Sequence, residues 1–263
     1  MNVTQELKIF LAYLAVVISA EVVTSLVSVI YGLFIHSALL VTMLALSAFW
    51  QKNPQSSTFF LCLSIAPLIR VFSLSLPLEY FPSYTWYLIA GIPMVVAAVT
   101  VIRLQRLTAK DVGLTLKKPW VQLAITFTGI PFGVVEYYIL QPAPIAGDFA
   151  VLGLFILAVG FIAATGFVEE LVFRGVFQSS AVRTFGPKVG LLSVAAVFAA
   201  LHIGWLQVVD VVFVFVIGLF FGVLALKTGS IAGVSLSHGL TNVFLFLVMP
   251  SCQVNLLTLH SYS

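Results

Sequence analysis

Glu169-Glu170-x-x-x-Arg174, Phe198-x-x-x-His202 and His238-x-x-x-Asn242 are three short polar patterns set inside apolar, helix-forming sequence. An ionisable side chain at membrane depth costs about 2.5–3.5 kcal/mol on insertion scales, so it persists where it pairs, faces a bundle interior or does chemistry. Glu170 and Arg174 stand at i and i+4 with the acid N-terminal, the favourable order for an ion pair on one helix face. Glu169 lies about 100° around the helix and has no basic residue four positions away. A carboxylate placed like that can serve as a general base. Phe198 and His202 repeat the i, i+4 relation, so the aromatic ring can pack under the imidazole and orient it. His238 and Asn242 place two donors on one face, which suits an oxyanion hole, where each donor contributes roughly 3 kcal/mol to transition-state stabilisation. Taken singly, each pattern also fits plain helix–helix hydrogen bonding or a buried ion network.

The elements that must carry these residues are transmembrane helices. Hydrophobic residues make up 61% of the 263 and charged residues 8%, which excludes a soluble domain. A span needs about 20 apolar residues. The chain has such stretches near 9–33, 35–51, 58–75, 85–103, 120–141, 149–182, 188–204, 207–226 and 231–250, so an all-α polytopic bundle of about 8–9 spans is expected. The blocks are continuous rather than alternating, unlike a transmembrane barrel. The first apolar run is too long for a signal peptide and contains Glu21, so it reads as a retained helix. The sixth stretch would be about 50 Å long as a straight helix, against a hydrocarbon core of ~30 Å. It must tilt, kink or break, with Gly160 and Gly166 as candidate places.

Basic residues gather at alternate ends of successive spans: Lys8, Lys52, Arg103 to Lys118, Arg183 with Lys188, and Lys227. The positive-inside rule makes those ends cytoplasmic, with a cytoplasmic N-terminus; Glu79, Asp148 and Asp210 mark the opposite, exofacial ends. Counted from the cytoplasmic ends at about 1.5 Å per residue, Glu169, His202 and His238 lie roughly 21, 21 and 16 Å deep and can share one plane. The longest polar connection, 104–119, divides the chain into N-terminal transmembrane helices (1–105), a core holding all three patterns (106–250) and a short tail (251–263). Nucleic-acid binding is excluded, since the basic residues are spread over loop ends without aromatic interleaving. The absence of an internal repeat argues against an inverted-repeat transporter. Cys62 and Cys252 form no C-x-x-C pair. Asp111, Asp148 and Asp210 sit in loops or at helix ends, which removes an aspartyl dyad, and neither G-x-S-x-G nor H-E-x-x-H occurs. Glu21 and Arg70 fall at similar depth and read as a structural ion pair, while Glu136 is a buried acid with no assigned partner.

In this order the three patterns resemble the CPBP intramembrane protease family, which includes the CAAX prenyl endopeptidases and the bacterial and archaeal Abi proteins. The likeness runs from about Val112-Gly113-Leu114 to Met249, and residues 1–105 lie outside it. It implies an endopeptidase of the cell membrane acting on a peptide or protein substrate, prenylated in CAAX processing, that reaches the site from the cytoplasm or through lipid. It further implies that Glu169 with His202 activates water, that His238 and Asn242 hold the oxyanion, and that Glu170, Arg174 and Phe198 support them. No cofactor is then required. The alternative is zinc held by Glu169, His202 and His238. A non-hydrolytic immunity, scaffold or transport protein is the reading from a different class, and all four polar positions together favour the enzyme.

Overall fold

The computed structural model describes residues 3–82, 85–143, 145 and 151–252; Asp148 and the tail from residue 253 lie outside these. Among the described residues every regular element is a helix. Eight are long and apolar enough to cross a membrane: α1 (Val3–Leu26), α2 (Val29–Phe49), α3 (Pro54–Ser75), α4 (Trp86–Leu104), α5 (Pro119–Leu140), α6 (Leu152–Trp205), α7 (Val208–Thr228) and α8 (Ala232–Cys252). Their outward faces carry large apolar side chains such as Phe34, Val41, Ile92 and Leu152, as lipid contact requires. The chain is a multi-pass membrane protein.

α6 is two arms. Its 54 residues would run about 80 Å as one straight helix, far beyond a ~30 Å hydrocarbon core. The backbone leaves helical geometry at Gly186 (φ 79°, ψ 170°), followed by Pro187. Positive φ is cheap only for glycine, and proline cannot continue a hydrogen-bonded turn. The chain folds back there. A Cβ on Gly190 would lie 2.7 Å from the Val182 nitrogen, although eight residues of straight helix rise about 12 Å. Counting the arms separately gives nine passages among the described residues. Near the candidate places the first arm changes winding: Gly166 lies inside a π-helical stretch at Ile162–Phe167 and Gly160 two residues before it, and a second stretch at Leu171–Phe177 follows Val168–Glu170. Gly166 serves a second purpose, because a Cβ there would come within 2.4 Å of the Ser235 carbonyl oxygen and 2.7 Å of the Gly239 nitrogen of α8. Its hydrogen allows the two helices to cross at backbone distance.

α5 meets α8 in the same way. A Cβ on Gly129 or Gly133 would approach the carbonyl oxygens of Ser237 and Thr241 to 2.1 and 2.4 Å. α8 is therefore clamped between α5 and the first arm of α6 by glycines at i, i+4 spacing. The 104–119 connection also bears on α8. Ile231 N donates to Gly113 O (2.9 Å) and Thr115 Oγ1 to Gly229 O (2.8 Å), while Ser230 Oγ donates to Thr115 O. These bonds tie the α7–α8 turn to the loop and fix where α8 begins.

The N-terminal helices share the apolar core. Phe59 packs edge-on against Phe185 (centroids 4.9 Å), and Phe10 lies 6.1 Å from the same ring. The Glu21–Arg70 pair is present: Arg70 Nε donates to Glu21 Oε1 (2.6 Å), Arg70 Nη2 pairs with Oε2, and His36 Nε2 stands 3.2 Å from Oε1. Asp210 departs from the reading as a surface marker. It occupies the first turn of α7, buried, with neither carboxylate oxygen hydrogen-bonded among the described residues. The residues Ile203–Leu206 that lead into α7 form a tight turn.

Candidate active site

Glu169, His202, His238 and Asn242 line one cavity of about 80 Å³, together with Phe198. They come from three separate segments: the first arm of α6, the end of its second arm, and α8. Glu170 and Arg174 stand behind the cavity wall. The four side chains share this space because of the reversal at Gly186 and the glycine crossing at Gly166. The reversal returns the chain so that Phe198 and His202 oppose Glu169, and the crossing brings His238 against the same turn.

Glu170 and Arg174 form the expected pair, with Arg174 Nη1 donating to Glu170 Oε1 (2.7 Å). The pair does more than neutralise itself. His238 Nδ1 meets the same Oε1 at 2.9 Å, so Glu170 also fixes the ring of His238 and turns its Nε2 toward the cavity, 3.9 Å from Glu169 Oε2. Arg174 is held in turn by the Gly218 carbonyl of α7 (Nη2 donating, 3.2 Å) and lies over the Phe198 ring, 4.5 Å from its centroid. Phe198 is the hub of this wall. It contacts His202 (4.9 Å between centroids), His238 edge-on (6.0 Å) and Phe173 (4.9 Å).

His202 sits at the end of the second arm, where its Nδ1 meets the Phe198 carbonyl oxygen at 2.8 Å. A carbonyl can only accept, so Nδ1 carries the proton and the Nε2 of a neutral ring is left as an acceptor. Asn242 donates from Nδ2 to Thr165 Oγ1 (2.8 Å), and Thr165 passes its own hydroxyl proton to Phe161 O (2.6 Å). That chain sets the polarity of the amide and leaves one of its two N–H groups for another acceptor. The motif reading did not single out Thr165. Its signal was its position four residues before Glu169, on the same side of the helix.

Glu136 is the other acid in the cavity, from α5, and Tyr87 of α4 lines it as well. The Tyr87 ring packs between Phe161 and Phe246 at 5.2 and 5.7 Å. Among the described residues no three His, Cys, Asp or Glu side chains are grouped closely enough to hold a metal ion. The Nδ1 atoms of both rings are committed, to Phe198 and to Glu170, and each ring keeps its Nε2.

No curated protein and no solved structure matches the chain. The stretch that supplies Glu169, His202, His238 and Asn242 does match a family model, over residues 151–244, and that model is described as Rce1-like, Type II CAAX prenyl endopeptidase, in agreement with the CPBP resemblance.

Proposed function

We propose that the protein is an intramembrane endopeptidase that hydrolyses a peptide bond in a CAAX-type or other membrane-associated substrate, with 106–250 as its protease core and the N-terminal helices as scaffold. The observation that carries this reading is the convergence of four polar side chains of three chemical kinds, from segments 73 residues apart between Glu169 and Asn242, on one buried cavity. Packing alone requires no such convergence.

Glu169 takes a proton from water, helped by the free Nε2 of His202, and the water oxygen adds to the scissile carbonyl. The carbonyl oxygen becomes an oxyanion, which receives hydrogen bonds from Asn242 Nδ2 and His238 Nε2. For His238 to donate from Nε2 while Nδ1 faces Glu170, the ring must carry both protons. Glu170 at 2.9 Å and Glu169 at 3.9 Å are the anions that accompany such a cation. Arg174 keeps Glu170 in place by its bond to the same oxygen.

The test is cleavage of a panel of prenylated and unprenylated peptides by the purified protein in liposomes, with and without exhaustive chelation. Cleavage that survives chelation supports the glutamate mechanism. Stoichiometric zinc whose removal abolishes activity would reassign Glu169, His202 and His238 as ligands. No cleavage of any peptide would favour a scaffold or transport role.

A further inference from the structure

Glu136 stands in the cavity without a task in the mechanism above. Its side chain is 8% exposed. Among the described residues it makes no hydrogen bond and pairs with no lysine or arginine; the ionisable groups whose charge reaches it are Asp210, His238 and Glu169. A buried carboxyl with no basic partner weakens the fold and fastens no helices, so its placement calls for a chemical reason. The placement itself is rigid. Gly129 and Gly133 set α5 at backbone contact with Ser237 and Thr241, the residues immediately before His238 and Asn242. Glu136 follows Gly133 by three positions, on the same helix face one turn further along. By the same register Glu136 falls level with Phe244, two residues past Asn242, and it lines the cavity of about 80 Å³ that His238 and Asn242 also line.

Peptide hydrolysis needs two proton transfers. Water gives up a proton as its oxygen bonds to the carbonyl carbon, and the leaving nitrogen must gain one as the C–N bond breaks, because an amide anion does not leave. Glu169 and His202 serve the first transfer. We propose that Glu136 is a second catalytic carboxyl, the general acid that protonates the leaving amine. The step balances within the reaction: the C–N bond breaks, its electron pair takes the Glu136 proton to give the free amine, and Glu136 becomes a carboxylate. The proton that Glu169 took from water then passes to Glu136, through water in the cavity, and restores both groups. Nothing beyond peptide and water is consumed. The inference rests on the protease reading.

The experiment compares a peptide amide with the matching ester of identical acyl part, since an alkoxide leaves without prior protonation and an amide anion does not. Wild type should cleave both. Glu136→Gln is near-isosteric but has no acidic proton, so its kcat on the amide should fall by about 10²-fold or more, the size of a general-acid contribution. Its kcat on the ester should fall less than about 5-fold, since the leaving group no longer needs that contribution. Glu169→Gln should lose both substrates alike. The amide-to-ester ratio is internal to each preparation, so reduced folded yield does not distort it, and Glu136→Asp should restore part of the ratio. Equal loss on amide and ester, no loss on either, or a rise in KM alone for amine-bearing peptides overturns the assignment while leaving the protease reading intact. A wild type that cleaves neither substrate removes both.

Discussion

Glu169 and Glu170 are neighbours in the chain with separate partners in space, and the difference between them follows from one helical step of about 100°. Glu170 turns to Arg174 and His238, while Glu169 faces the cavity, where His238 Nε2 stands 3.9 Å away. Glu169→Gln keeps the shape but cannot accept a proton, so hydrolysis should fall by the roughly 10²–10⁴ expected of a general base. Substrate binding and thermal stability should stay near wild type. Retained hydrolysis with Gln in place would move the base to another residue. Arg174→Ala acts on the other carboxylate, leaving Glu170 with His238 alone. Loss of one partner from a buried pair costs about 3–5 kcal/mol, so folded yield and melting temperature should drop along with activity. A fully folded and selectively inactive variant would place Arg174 in the catalytic shell instead. These roles were legible in the sequence because i, i+4 spacing states which side chains can touch along one helix. The bond between His238 and Glu170 was not, since it joins residues 68 positions apart and depends on how two helices cross.

Helix crossings in this bundle are set by glycines, and these give the elements their precision. Within lipid, packing at close range replaces the hydrophobic effect as the force between helices. Gly166, Gly129 and Gly133 each meet backbone atoms of α8 at distances that no Cβ tolerates. Gly166→Ala would press a methyl group on the Ser235 carbonyl, which has no flexible side chain to yield. Overpacking of this kind costs typically 1–3 kcal/mol, and moving α8 also shifts His238 and Asn242 away from Glu169. The expected result is a lower melting temperature with a loss of activity larger than the fall in folded protein. By contrast Gly160→Ala, whose new methyl group meets only Leu88 at 3.9 Å, should be tolerated. Equal tolerance of both would separate the crossing from the site. Apolar length and continuity were enough to read the helices from the sequence, and the reversal near residue 186 was visible between Arg183 and Lys188. The use of Gly166 was not visible. A lone glycine in an apolar run signals a kink and a close approach equally well, and only the partner helix decides between them.

At the scale of the molecule, the basic residues that lie far apart in the chain are drawn to one end of the bundle. Gln55 Nε2, beside Lys52, donates to Arg183 O (2.8 Å); Thr58 bonds Gln105, between Arg103 and Arg106; and Gly113 O accepts from Ile231 N (2.9 Å), next to the turn that follows Lys227. Three polar contacts thus join the α2–α3 turn, the α6 reversal, the 104–119 loop and the α7–α8 turn into one face. The same loop is internally pinned at Asp111, whose carboxylate accepts from Thr108 N and Oγ1 and is held below its usual pKa by those bonds. A face that gathers lysine and arginine from the loop ends of a multi-pass protein is expected to remain in the cytoplasm. The Ile203–Trp205 turn belongs to the opposite end, because the second arm of α6 leaves the basic face at Lys188. The prediction is tested by cysteine labelling, with exposed Cys252 first changed to serine and the buried Cys62 left in place. A cysteine at Lys110 should react with an impermeant thiol reagent only from the cytoplasmic side. One at Gln207, across the bundle, should react only from outside. Labelling of both from one side would break the nine-passage arrangement, and labelling of each from the wrong side would invert the protein, so that substrate enters from the other face.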